Sequence, residues 1–88
     1  MVFPLGRIVA TPGALDALAA AGVSGRSLLA RHQAGDWGSV PPEDAAENEL
    51  AVERGFRIVS SYPVGDERVW VIAEAGRSAT TLLLPSEY

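Results

Sequence analysis

The chain has 88 residues, 48% of them hydrophobic and 20% charged, with a formal net charge of −4 and no cysteine. Such a length supports one small domain over residues 1–88 with a two-layer core, and the apolar content excludes a disordered chain. The absent thiols exclude a disulfide scaffold, a cysteine nucleophile and a thiolate metal site, and no apolar run is long enough to span a membrane, so the sequence points to a cytoplasmic protein without membrane contact.

The opening Met1-Val2-Phe3-Pro4-Leu5-Gly6 lacks the basic and apolar regions of a secretion signal. The first predicted element is a strand, Gly6 to Ala10, with Ile8 and Val9 as its apolar content. Thr11-Pro12 then opens a helix, Thr as N-cap and Pro at the first helical position, and Gly22 stops it. A second helix runs from Gly25 to Ala34, capped by Ser24, with Leu28, Leu29 and His32 within one arc. The segment Gly35 to Pro42 is an irregular loop around Trp37. Pro41-Pro42-Glu43-Asp44 opens a third helix, its acids in the first turn where the dipole favours them, and Gly55 ends it after Arg54.

From Phe56 the period changes to two. Strands are expected over Phe56 to Tyr62, Arg68 to Glu74 and Ala79 to Leu84, separated by Pro63-Val64-Gly65-Asp66 and Ala75-Gly76-Arg77-Ser78. The middle strand has apolar residues on both faces, as a central strand does. The order β-α-α-α-β-β-β predicts an α+β domain, its helices packed on one face of a small antiparallel sheet that ends in a three-strand meander.

The residues that invite a chemical reading cluster at element ends. His32, Asp36 and Trp37 fall inside Arg31-His32-Gln33-Ala34-Gly35-Asp36-Trp37-Gly38, with the only His of the chain. A His beside two leucines in the last turn of a helix is foremost a packing residue. As a functional group it would be a general acid/base oriented by Asp36. Trp37 is expected to be buried and to pin its loop. Glu49 lies inside an apolar arc and wants an Arg partner, with exposure to solvent as the plainer alternative. Asn48 beside it could bond the Trp37 loop. Arg77, Ser78 and Thr80 at a tight turn could form an anion pocket, a forked donor with hydroxyls. Trp70 reads as core rather than as a stacking platform. One imidazole with scattered carboxylates is not a metal-ligand set, and no cofactor motif is present.

Several segments carry a resemblance: Phe3-Pro4-Leu5-Gly6-Arg7-Ile8-Val9-Ala10-Thr11-Pro12-Gly13-Ala14-Leu15, Leu28-Leu29-Ala30-Arg31-His32 with Gly35-Asp36-Trp37-Gly38, Asn48-Glu49-Leu50-Ala51, and Arg77-Ser78 with Thr80-Thr81, Leu83-Leu84-Pro85 and Glu87-Tyr88. Over nearly its whole length the chain resembles a family of small bacterial proteins labelled plasmid-related protein or, by gene neighbourhood, small type I restriction–modification subunit. Glu74-Ala75-Gly76-Arg77 stands where that family has a Glu-Ala-Asp-Arg turn. The resemblance implies an association with mobile elements or defence systems, not an activity. These 88 residues hold neither a methyltransferase domain nor its cofactor loop.

Six acids and no base lie between Asp36 and Glu53, and all seven bases of the chain are Arg. That balance argues against direct binding to duplex DNA, which requires clustered positive charge. The leading expectation is a small non-enzymatic accessory protein. It would act by protein–protein contact through the acidic face, or by binding a small anionic ligand through His32, Asp36, Trp37, Asn48, Arg77, Ser78 and Thr80, with homo-oligomerisation left open. The alternative is a small RNA- or nucleotide-cleaving toxin, with His32 as acid/base, Asp36 orienting it and Arg77 clamping phosphate.

Overall fold

A computed structural model describes residues 3–88; Met1 and Val2 of the opening segment lie outside it. Its elements are β1 (Arg7–Ala10), α1 (Pro12–Ala21), α2 (Gly25–Gln33), α3 (Pro42–Arg54), β2 (Ile58–Val64), β3 (Glu67–Ala73) and β4 (Ala79–Leu83). This is the expected α+β layout, three helices and four strands in the expected order.

Local chemistry sets the helix ends. The Thr11 hydroxyl accepts from the Ala14 amide, and Ser24 does the same for Ser27. Gly22 ends α1 in the left-handed conformation while the Val23 amide reaches back to the Leu18 carbonyl. A long-range cap was not expected: the Glu87 carboxylate accepts from the Thr11 hydroxyl and from the Gly13 amide, tying the chain's end to the start of α1.

The strand order is β1-β4-β3-β2. Strands β2, β3 and β4 form the antiparallel meander, and β1 adds alongside β4 in parallel, Arg7 opposite Ala79 and Ala10 opposite Leu82. One strand sits later than its pattern suggested. β2 runs through Pro63, and the turn shrinks to Gly65-Asp66, with Gly65 at a positive φ of 59°. Proline is accommodated because β2 is an edge strand. The Ser61 amide points outward to the Trp37 carbonyl, so Pro63, two residues on, lacks an N–H only on the side away from β3.

By alternation Ile58, Tyr62, Val64, Val69, Val71 and Ala73 share one face of the sheet, which carries both core clusters. Tyr62 and Val64 of β2, with Val69, Val71 and Leu82, meet Ala14, Ala17 and Leu18 of α1 and Leu28 of α2 in one cluster. A second cluster joins Phe3, Trp37, Ala51, Ile58 and Ala73, with Ala45 and Val52 against it. Thus α3 lies along the β2 margin. Its Ala45, Ala51 and Val52 join the core, while Asp44, Glu47 and Leu50 line a groove over the opposite sheet face. Among the described residues no helix is long and apolar enough to cross a membrane.

Candidate functional site

His32 lies inside the core. It is 0% exposed, its Nδ1 is 2.5 Å from the Ser60 hydroxyl, and Nε2 is buried without a hydrogen-bond partner among the described residues. Phe3 and Trp37 stand edge-on to the ring at centroid distances of 5.4 and 5.8 Å. Burial, and secondarily the positive charge of Arg77, push the imidazole down to about 4, so the ring is neutral near pH 7.

Asp36 is not the partner of His32. Its carboxylate accepts from Arg31 Nε at 2.7 Å and from the Gly38 amide at 3.2 Å, and the Arg31 contact holds it below its ordinary value. The pair is half exposed and contributes little to stability. What pins this loop is its backbone. Burial raises the Tyr62 hydroxyl to about 12, and it donates to the Asp36 carbonyl at 2.6 Å. Beyond it, the Ser39 amide donates to the Ser61 carbonyl at 2.7 Å. Gly38 has φ 73°, and any Cβ there would strike the Ser61 carbonyl, so only glycine fits. Trp37 is buried, as expected.

The anion pocket expected at Arg77 is occupied by backbone. Arg77 Nη1 donates to the Phe56 and Glu74 carbonyls at 2.6 and 3.1 Å, and Nη2 to the Ala51 carbonyl at 2.8 Å. Its guanidinium closes the C-terminal end of α3 and lies over the Phe3 ring. Thr80 is buried and donates to the Leu5 carbonyl; Ser78 alone of that group faces solvent. His32, Asp36 and Arg77 therefore form no open constellation. A sealed imidazole cannot exchange a proton with a bound substrate, and the forked donor is already spent on carbonyls. Among the described residues no three of His, Asp and Glu gather as a metal site.

Glu49 is exposed and, among the described residues, has no Arg partner, so the plainer alternative holds. The buried polar residue of α3 is its neighbour Asn48. Its amide donates to the Val59 carbonyl at 2.8 Å and accepts from the Val59 amide at 3.3 Å, rather than bonding the Trp37 loop. Together with residues 37–39 it closes the outer edge of β2. Asn48→Ala should cost about 2 kcal/mol, since it strands two backbone groups. Glu49→Gln should stay within about 0.5 kcal/mol. Urea unfolding of both variants reads the contrast, and equal effects would contradict it.

The open concave surface lies elsewhere. Between α3 and the outer face of β2 and β3 runs a groove of about 790 Å³, within the range of ligand-binding clefts. Val59, Ser61 and Trp70 line it from the sheet, Leu50 and Phe56 stand exposed at 43% and 55%, and Val40 and Pro41 complete its apolar lining. Asp44 and Glu47 line the helix wall; Arg57 and Arg68 line the sheet wall. Trp70 is only half-buried, which corrects its reading as core, and Tyr88 stacks edge-on to it at 5.6 Å with Arg57 over the Tyr88 ring. The apolar residues on both faces of β3 were the signal for this surface. They fit the central place of β3 in the sheet, between β4 and β2, but its second face is covered only in part. Compared with family models, with curated proteins and with solved structures, the chain matches none.

Proposed function

We propose that this chain is a small non-enzymatic binding protein that takes a segment of a partner protein into the groove between α3 and the outer sheet face. The observation that carries this reading is the groove's lining: exposed Leu50 and Phe56 with Trp70, an acidic wall on α3 and an arginine wall on the sheet. Exposed aromatic and aliphatic anchors flanked by charge mark protein interaction sites. The walls favour a segment with an apolar ridge, bases along Asp44 and Glu47, and acids along Arg57 and Arg68. Glu43, Asp44, Glu47, Glu49 and Glu53, all exposed on α3, extend the negative side beyond the groove. The likeness to plasmid-related proteins supports an accessory role beside mobile elements or defence systems. Small anions are the weaker ligand class, because the Arg77 fork is engaged with carbonyls.

The test is capture of a partner from the native host by the tagged protein. Leu50→Glu or Trp70→Ala should weaken capture by about 2 kcal/mol or more, as anchor truncations do. Leu15→Glu, at an exposed leucine of α1 outside the groove, should leave it intact. Capture that ignores Leu50 and Trp70 but responds to Leu15 would overturn the assignment.

A further inference from the structure

The two edges of the sheet are finished differently. The outer edge of β2 is bonded by Trp37, Ser39 and Asn48, and Pro63 removes a donor from it. Among the described residues, the outer edge of β1 carries none of these devices, nor a bulge or lysine that would blunt it. The Arg7 amide bonds the Ser78 carbonyl and the Thr11 amide bonds the Leu82 carbonyl, so Arg7, Val9 and Thr11 turn their backbone groups towards β4. By alternation Ile8 and Ala10 turn theirs outward, and among the described residues nothing bonds them. Ile8 and Val9 are 46% and 39% exposed along this edge.

We infer that β1 pairs antiparallel with β1 of a second copy of the chain, about a two-fold axis through Val9. This surface is separate from the groove. The register is self-complementary: Ile8 opposes Ala10 of the other copy, both with outward N–H and C=O groups, and the pair exchanges both bonds. The symmetric pair does the same, and Val9 faces Val9 between them. Arg7 then opposes Thr11, whose hydroxyl is bonded to the exposed Glu87 carboxylate. An arginine of each copy thus comes within side-chain reach of an acid of the other, and no like charges are opposed. A two-fold closes the contact, so both free edges are used and none is left to propagate.

Sedimentation equilibrium tests this. The wild type should sediment at twice the 9.2 kDa of the chain, whereas Val9→Lys alone and Val9→Glu alone should sediment as monomers. Mixing the two variants should restore the doubled mass, because the axis sets position 9 against itself. Should either variant fail to fold, Ile8→Pro replaces it as the monomer-forming variant, since it deletes an outward N–H and no bond to β4. A wild type at monomer mass up to about 1 mM, where even a millimolar dimer is evident, would overturn the inference. So would a dimer that survives either charged variant, or a mixture that stays monomeric.

Discussion

Trp37→Ala should remove a large part of the stability of the fold, about 3–5 kcal/mol, as large-to-small aromatic truncations in cores do. Trp37 is buried against Phe3 and His32, in the cluster that joins the start of the chain to α3 and the sheet. Its own carbonyl also accepts the Ser61 amide that closes the β2 edge. A cavity there would loosen both the second core cluster and the loop beside it. For a domain of this size total stability is about 4–13 kcal/mol, so the melting temperature should fall by roughly 15–30 °C. An unchanged melting temperature would contradict the packing role and return Trp37 to the surface.

Acid should weaken the fold through His32. Its folded value of about 4 lies below the ordinary 6.5, so the unfolded chain holds the proton more readily. The sign follows: stability is fully present above about 6.5 and declines as pH falls towards 4, by about 3 kcal/mol across that window. The groups around the ring supply no compensating anion. Ser60 and the aromatic rings are neutral, Arg77 is a cation, and the Asp36 carboxylate is engaged by Arg31. Asp36 and Glu87, both held below the ordinary carboxylate range, add their own losses at lower pH. His32→Leu should flatten the dependence between pH 6.5 and 4.5, at the cost of stranding the Ser60 hydroxyl. Urea unfolding at several pH values reads both slopes, and parallel slopes for the two proteins would contradict the assignment.

Features written within a few residues were legible before the structure. Thr11-Pro12, Gly22, Ser24 and Gly55 bound the helices because capping is local chemistry. The meander was legible from alternation and short turns. Long-range partners were not: Ser60 stands 28 residues from His32, and Glu87 stands 76 from Thr11. The helical wheel of α3 erred by one position, placing the buried polar group at Glu49 instead of Asn48. A wheel fixes relative angles, but only the β2 edge shows which angle faces inward. Periodicity likewise showed that β3 is apolar on both faces. It did not show that one face is left as a groove, because coverage depends on where α3 and Tyr88 come to rest.

The separation of a structural His–Trp cluster from a binding groove is tested most directly by the imidazole NMR titration of His32. The ring should remain neutral while the protein is folded and change only near pH 4, together with loss of the dispersed spectrum. A reversible titration near pH 6.5 in the folded protein would place the ring in solvent, and would return His32 to the list of functional groups.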